Sequence, residues 1–311
     1  LPVSHTITRD PLASGSLVMV WLTGSEGMLG VSVRASLEKN GIAFISSDRE
    51  VDIRSREQVK SFIGIRPVEW IVNCAGYTAV DRAEGEEELA RSINGDGPAF
   101  LAEVAAKRGA ALIHISTDYV FDGMKDGAYE EDDAPHPISA YGRSKLAGEE
   151  AVRRGLERHF ILRTSWLYGM REPNFVLTMI RLFRERDEVR VVNDQWGSPT
   201  SALDLAEAII SIILKKSDRY GIYHFSNEGR VTWFEFARAI YSIAKTHKLV
   251  DKDVHIVPIP TSEYPTPAVR PRNSYLSKEK IRRELGIHPR PWREALDDFI
   301  RSVSVLERDK E

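Results

Sequence analysis

Cysteine is almost missing from this chain: Cys74 is the single one among 311 residues. One thiol excludes a framework of internal disulfides and fits a reducing compartment. No apolar run reaches the length of a membrane-spanning helix. Neither sign of charge dominates. The net charge is -3 and no long run of one sign occurs, so nothing points to nucleic acid or to a membrane surface as a partner. The eight histidines fall at no metal-ligand spacing and no catalytic zinc motif is present, so no metal is expected. Internal repeats and low-complexity tracts are also missing. Residues 1–16 lack the charged start and apolar middle of a signal peptide. They read as a loose extension, with Met19 as a natural start and a cytoplasmic location as the default. The densest acidic patch, residues 84–88, reads as the solvated start of a helix, where carboxylates suit the dipole.

What is present is an ordinary globular composition, 42% hydrophobic and 29% charged, in a chain long enough for one large or two modest domains. The short apolar run at residues 17–22 leads into Thr23-Gly24-Ser25-Glu26-Gly27-Met28-Leu29-Gly30, and helical periodicity follows over 31–39. Strand, glycine turn and helix in that order let a backbone approach a pyrophosphate and point a helix N-terminus at it. The glycines stand at 24, 27 and 30, a wider spacing than the G-x-G-x-x-G of many dehydrogenases. A second strand is expected over 42–46. After it, Asp48 can bond a ribose 2′-hydroxyl and Arg49 can accommodate a 2′-phosphate, so the cofactor reads as NADPH or NADH. Val51-Asp52-Ile53 would meet the adenine. A third strand at residue 70 runs into the small residues Asn73-Cys74-Ala75-Gly76, against which a cofactor can lie. Cys74 sits in an apolar run with no basic neighbour in sequence and reads as a core residue.

A loop over 77–81, helices over 84–108 and strands at 110–116, 160–165, 189–193 and 221–226 continue the alternation, with helices over 175–186 and 202–214 and a polar loop at 194–200. This predicts an α/β fold with a Rossmann-type doubly wound parallel sheet. After a helix over 233–244, a Pro-rich stretch at 257–271 ends the alternation. The expected organisation is a nucleotide-binding unit of residues 17–170, to which 189–226 return. A smaller C-terminal substrate-binding lobe takes 171–188 and 227–311.

Ligands of such sheets bind at the carboxyl ends of the strands. There the strand at 110–116 emerges into Ser116-Thr117-Asp118-Tyr119, and Tyr141-Gly142-Arg143-Ser144-Lys145 follows 24 residues after Thr117. Tyr141 and Lys145 are four apart, on one face of a helix. A phenol that titrates at ~10 holds its proton at neutral pH, and a neighbouring ammonium brings it closer to the working range. It can then protonate a carbonyl oxygen as hydride arrives. Lys145 can also bond a ribose hydroxyl. A strand-end hydroxyl can donate to the same oxygen. Strand alternation points only one of Ser116 and Thr117 at the site and does not say which. Asp118 holds the loop or binds substrate, Tyr119 is a second phenol nearby, and His114 reads as a core histidine. The acidic, proline-containing loop at 122–137 is expected to cover part of the site.

These motifs resemble those of the extended short-chain dehydrogenases/reductases and, more narrowly, of the dTDP-4-dehydrorhamnose reductase family, over nearly everything after residue 17. Beyond the glycine loop and Tyr141-x-x-x-Lys145, the blocks that carry the resemblance are residues 73–84 (Asn-Cys-Ala-Gly-Tyr-Thr-Ala-Val-Asp-Arg-Ala-Glu), 116–123, 163–169, 193–200 and 270–274. The resemblance implies hydride transfer from NADPH or NADH to C4 of dTDP-4-dehydro-L-rhamnose, for cell-surface polysaccharide. It implies a catalytic triad of Thr117, Tyr141 and Lys145. It implies cofactor contacts from Gly24, Gly27, Met28, Leu29, Asp48, Arg49, Asp52, Ile53, Ala75, Gly76, Thr78, Tyr141 and Lys145. Thr117, Asp118, Tyr119 and Trp166 fall beside the substrate, and Val80, Asn174, Gln195 and Arg270 are further candidates. Met28 departs from the polar residue common in the family's loop, and Tyr77 stands where histidine is frequent. The expected partner is a dTDP-sugar, bound by a monomer or homodimer.

Two other readings stay open. One is a non-catalytic nucleotide-binding module, since the regulatory β subunit of methionine adenosyltransferase resembles the same family. The other is a reductase or epimerase of a different nucleotide sugar. The intact Thr117, Tyr141 and Lys145 favour an enzyme, and the narrower blocks favour the rhamnose precursor.

Overall fold

The apolar run at the start of the fold forms β1 (Met19–Thr23), buried along its whole length. The structure is a computed structural model and describes residues 19–308; the extension expected at 1–16 lies outside the described residues. From β1 the chain passes through α1 (Met28–Lys39), β2 (Ala43–Ser47), α2 (Arg56–Ile63), β3 (Trp70–Asn73), α3 (Val80–Ala83) and α4 (Glu87–Arg91). A π-helical turn, Ser92–Asp96, leads into α5 (Gly97–Arg108), β4 (Ala111–Thr117), α6 (Ala140–Gly155) and β5 (His159–Thr164). Then come β6 (Leu167–Tyr168), α7 (Phe175–Glu185), β7 (Glu188–Val192), β8 (Trp196–Gly197), β9 (Thr200–Ser201), α8 (Ala202–Leu214) and β10 (Gly221–His224). The last elements are β11 (Val231–Thr232), α9 (Trp233–Thr246), β12 (His255–Ile259), α10 (Glu279–Leu285) and α11 (Trp292–Arg308).

Six strands form one sheet in the order β10-β5-β4-β3-β1-β2, with every neighbouring pair parallel. The fold is the doubly wound α/β architecture that the alternation predicted. Its strands read as continuous apolar runs because both faces are covered. Val20 and Leu22 of β1 face one side with Val33 and Leu37 of α1 and Leu205 and Ile209 of α8. Trp21 faces the other side with Val59 of α2, Leu101 and Val104 of α5 and Val152 of α6. The chain winds outward from β1 to β2, then crosses to β3 on the far side of β1. That reversal opens a crevice at the carboxyl ends of β1 and β3, where such sheets take their ligands.

A second apolar cluster gathers Val176, Ile180 and Phe183 of α7, Val189 and Val191 of β7, Phe236 and Ile240 of α9, and Leu296 and Ile300 of α11. One expectation is corrected here. β7 does not return to the main sheet; it pairs in parallel with β12 and packs in this second cluster. Within 189–226, α8 and β10 are the long elements that pack on the sheet unit. After β12 no further strand is formed among the described residues, so the strand-helix alternation ends in the Pro-rich stretch. α10 and α11 follow it, and α11 lays a stripe of Leu296, Phe299, Ile300 and Val303 against the cluster. The polar loop at 194–200 carries β8 and β9, and the loop expected over 77–81 ends early because Val80 and Asp81 open α3. Among the described residues no helix is long and apolar enough to cross a membrane, and no cluster of three metal-ligating side chains occurs.

Candidate active site

The crevice is built on glycine. Gly24 has φ +64°, and a Cβ there would stand 2.5 Å from the Ala75 amide nitrogen, so the backbones of the β1 and β3 ends touch. A Cβ on Gly30 would stand 2.0 Å from the Gly24 carbonyl oxygen. α1 therefore starts flush against the loop. No side chain caps that start, and its first turn holds no acidic residue. The open amides and the positive end of the helix dipole fit an anion such as a pyrophosphate. Met28 offers its amide there, while its side chain turns away to pack at Gly169. Below the loop, Thr23 Oγ1 donates to Asn73 Oδ1 at 2.7 Å, and the Asn73 amide meets His114 Nδ1 at 3.0 Å. This ladder fixes the ends of β1, β3 and β4 relative to one another. His114 is wholly buried, and burial with the nearby Lys145 charge holds its titration well below the usual histidine range. It is a neutral core histidine.

The other expected cofactor residues divide. Asp48 and Arg49 follow β2 directly, and neither side chain has a hydrogen-bond partner among the described residues. The Asp52 carboxylate is engaged by Arg54 at 2.7 to 3.0 Å, which holds it below the ordinary carboxylate range. Ile53 is buried against Gly97, where a Cβ would meet its Cδ1 at 2.7 Å. Gly76 and Thr78 are exposed along the crevice, and Ala75 is partly so.

The chemistry gathers at the carboxyl end of β4. Successive strand residues face opposite ways. Ser116 Oγ donates inward to Glu149 Oε1 at 2.5 Å, and Glu149 is in turn paired with the buried Arg163 at 2.7 Å. Thr117 turns the other way. Its Oγ1 donates to Asp118 Oδ1 at 2.8 Å, accepts from the Tyr119 amide at 3.2 Å, and lies beside the Tyr141 phenol. Of the two hydroxyls that alternation left open, that of Thr117 thus faces Tyr141 and that of Ser116 faces Glu149. The Tyr119 ring meets Tyr141 edge-on at 5.6 Å. Asp118 is buried, and its Oδ2 has no hydrogen-bond partner among the described residues. Burial pushes the Asp118 carboxyl up to about 6.

Lys145 lies four residues along α6 from Tyr141. Its Nζ donates to the Ile115 carbonyl at 2.5 Å. Burial lowers its titration to about 8, against the opposing pull of Glu149 and Cys74. The Tyr141 phenol is raised above the ordinary phenol range by burial, opposed by Thr117 and reinforced by the Asp118 charge. Cys74, beside Lys145, is pushed up to about 12 by burial, which leaves an inert thiol.

One residue that the sequence reading passed over without a role completes the wall. Asn94 sits in the π-helical turn, a distortion frequent at functional sites. Its Oδ1 accepts from the Tyr77 amide at 2.8 Å, and its Nδ2 donates to the Tyr77 carbonyl and the Ser144 hydroxyl, both at 2.9 Å. It thus ties the β3 loop to the residue before Lys145. The acidic patch is likewise not merely solvated. Glu84 accepts from the Ala140 amide at 2.9 Å at the start of α6, and Glu86 accepts from the Tyr77 hydroxyl at 2.6 Å.

The outlying substrate candidates are held rather than free. Asn174 caps α7, accepting from Leu177 N and donating to the carbonyls of Gly169 and Arg171, so its amide is fully engaged. Gln195 is buried and donates to Thr261 Oγ1 at 3.1 Å. Trp166, at φ +48°, stacks on Trp233 at 3.5 Å. Val80 is half-buried at the start of α3, and Arg270 is paired with the neighbouring Asp81 at 2.8 Å. The loop at 122–137 is no free flap: Asn273 donates to the carbonyls of Lys125 and Gly127, and Tyr129 exchanges backbone bonds with Tyr275 and Ser277.

Comparison with known proteins places the chain among relatives. The family model described as the RmlD substrate binding domain matches residues 18–305. The chain is 42% identical over 284 residues to a dTDP-4-dehydrorhamnose reductase of Aggregatibacter actinomycetemcomitans, covering 89% of this chain and 97% of that one. It is 39% identical over 289 residues to the spore coat polysaccharide biosynthesis protein SpsK of Bacillus subtilis, covering 93% and 99%. The structure superposes with a TM-score of 0.86 on a crystal structure of the dTDP-4-dehydrorhamnose reductase from Bacillus anthracis in complex with NADP, at 40% identity and covering 91% and 99%.

Proposed function

The chain belongs to the dTDP-4-dehydrorhamnose reductase family, and from that premise we propose that it transfers hydride from NADPH or NADH to C4 of dTDP-4-dehydro-L-rhamnose. The product, dTDP-L-rhamnose, serves polysaccharide biosynthesis. The observation that carries the reading is the meeting of Thr117, Tyr141 and Lys145 at the end of β4, beside a glycine cradle that a Cβ would fill.

The nicotinamide cofactor, when bound, supplies the hydride. The chain's residues do the rest. Gly24, Gly27 and the amides of Met28 and Leu29 hold the pyrophosphate, and Asp48 and Arg49 sit at the adenosine ribose. Ala75, Gly76 and Thr78 form the surface along which the cofactor lies. Tyr141 carries the proton that the C4 oxygen receives, and its raised titration keeps that proton in place until negative charge develops there. Thr117 donates to the same oxygen after turning from Asp118. Lys145, whose Nζ donates to the Ile115 carbonyl, would bond the ribose of a bound cofactor and, as an ammonium, would stabilise charge near the phenol. Asp118, Tyr119 and Trp166 shape the sugar pocket. The sheet unit thus holds the cofactor, and the unit of α7, α9 and α11 holds the nucleotide sugar. The enzyme works in the cytoplasm as a monomer or homodimer.

The test is a cofactor oxidation assay on the purified protein with dTDP-4-dehydro-L-rhamnose, run with NADPH and NADH in parallel. Sugar-dependent loss of reduced cofactor is expected. No oxidation with either cofactor, together with stoichiometric capture of a protein partner, would replace the enzyme with a regulatory subunit.

A further inference from the structure

One face of α6 carries three polar side chains in a row. Tyr141, Lys145 and Glu149 are spaced four residues apart, so each is the helical neighbour of the next. Tyr141 and Lys145 act in the reaction. Glu149 is the third, and its side chain is 1% exposed. Arg163 of β5, itself 2% exposed, donates to its carboxylate from Nη2 to Oε2 at 2.7 Å and from Nε to Oε1 at 2.9 Å. Ser116 Oγ donates to Oε1 at 2.5 Å. Lys145 reaches the same strand one residue earlier, where its Nζ donates to the Ile115 carbonyl at 2.5 Å. The ammonium and the carboxylate are thus anchored on adjacent residues of β4.

A buried ion pair is weak evidence for stability, because taking both charges out of water offsets their attraction. The surroundings of Lys145 give Glu149 another task. Burial works against the Lys145 ammonium, and two groups work for it: Glu149, and Cys74 after β3. Cys74 is a neutral thiol, and His114 of β4 is a neutral imidazole. Asp118, in the turn after β4, acts on Tyr141. α3, α4, the π-helical turn and α5 also pack on α6. Of their ionisable side chains, Asp81, Arg82 and Glu103 are paired with other residues, and Glu87, Glu88, Arg91, Asp96, Lys107 and Arg108 are exposed. This leaves the Glu149 carboxylate as the charge that favours the ammonium.

We propose that Glu149 is a positioning residue for the reaction, the buried counter-ion that Arg163 and Ser116 hold beside the Lys145 ammonium. The inference rests on the reductase reading, in which Lys145 keeps its charge near the Tyr141 phenol. An opposite charge one helical turn away favours the ammonium where water cannot. Arg163 and Ser116 grip the carboxylate from β5 and β4, so it does not have to be ordered when the cofactor arrives.

Two variants of the full chain test this, Glu149→Gln and the double variant Glu149→Gln with Arg163→Met. The single variant strands a guanidinium in the interior, which is strongly destabilising, whereas the double variant removes both charges together, which buried sites tolerate. The first readout is the pH profile of kcat/KM for the sugar nucleotide. Its alkaline limb, at about 8 in the unaltered protein, is expected to move down by about one pH unit or more in both variants. The second is chemical unfolding without cofactor. Stability rises with pH where the unfolded chain holds the Lys145 proton and the folded one does not, so that rise is expected to begin about one unit lower in both variants. A limb or a rise that stays at about 8 in the double variant would overturn the proposal. So would a shift confined to Glu149→Gln, which would belong to the unpaired guanidinium. Turnover by the unaltered protein separates the two levels. Its absence defeats the reductase reading and leaves the unfolding curves to decide this inference, whereas its presence with an unmoved limb defeats only this inference.

Discussion

Ser116 donates its hydroxyl to the Glu149 carboxylate at 2.5 Å in the protein interior, while the next hydroxyl along β4, that of Thr117, donates to Asp118 at 2.8 Å beside Tyr141. Two adjacent hydroxyls thus have separate duties. Thr117→Val is expected to lower kcat by about a hundredfold, the usual cost of one donor to a developing oxyanion. Ser116→Ala is expected to leave kcat nearly intact and to cost about 1–2 kcal/mol of stability, as a buried bond to a charged partner is lost. Steady-state kinetics beside urea unfolding separates the two. Equal losses of kcat would erase the distinction.

Tyr141→Phe removes the acid and is expected to reduce turnover by about 10²–10⁴-fold with cofactor binding preserved. Lys145 sets the alkaline side. Burial lowers it to about 8, so its ammonium is lost above that pH and kcat/KM falls there. The stability effect has the opposite sign. Between about 8 and the ordinary 10.5 the unfolded chain holds the proton and the folded one does not, so stability rises with pH across that window. Lys145→Met should flatten that rise, which pH-dependent chemical unfolding reads directly.

Most of this was legible from the chain itself, for physical reasons. Strands buried on both faces read as unbroken apolar runs, and Gly24 marks a backbone contact that no side chain permits. The missed features are those that depend on distant partners. The Ile115 carbonyl, 30 residues away, accepts from Lys145 Nζ, a partner that the Tyr141–Lys145 spacing does not show. Asn94 carries no local signal, because its role arises from a π-helical turn and from Tyr77 and Ser144. Val189 and Val191 of β7 look like any sheet strand, and only β12 decides where they pack.

Asp118 should behave as a stored cost. Its carboxyl titrates at about 6 when folded and near 3.8 when not, so stability falls as pH rises through that window and stays lower above it. Asp118→Asn is expected to be more stable than the unaltered protein at pH 7, by about 1–3 kcal/mol, with the gap closing below pH 4. Thermal unfolding across that range measures it. An unchanged gap would mean that the carboxylate is solvated.

Gly24→Ala asks two costly things at once: a side chain at φ +64° and a methyl 2.5 Å from the Ala75 nitrogen. The β1 and β3 ends must part to admit it. Affinity for NADPH is expected to fall more than tenfold even where the variant folds, since a loss of about 1.4 kcal/mol in the cradle suffices. Fluorescence titration of the cofactor checks this, and wild-type affinity would show that the loop is not the pyrophosphate seat.

Trp166 holds a left-handed backbone conformation that costs a residue of its size about 1–3 kcal/mol. Something must retain it there. Trp233, the first residue of α9, stacks on its indole at 3.5 Å and 9°, and Gly197 is so close that a Cβ would stand 2.5 Å from Trp166 Cε2. The Trp233 stack covers one indole face and Gly197 crowds the five–six ring junction, so the remaining edge of Trp166 is the one that the proposed sugar nucleotide would meet. Trp233→Ala should therefore raise KM for the sugar nucleotide and leave KM for NADPH alone, because it releases Trp166 rather than touching the cofactor. If that is the route, Trp166→Ala and Trp233→Ala act through one group. Their combined effect on kcat/KM is then smaller than the sum, by a coupling of about 0.5 kcal/mol or more. Fully additive losses would mean that Trp233 meets the substrate on its own.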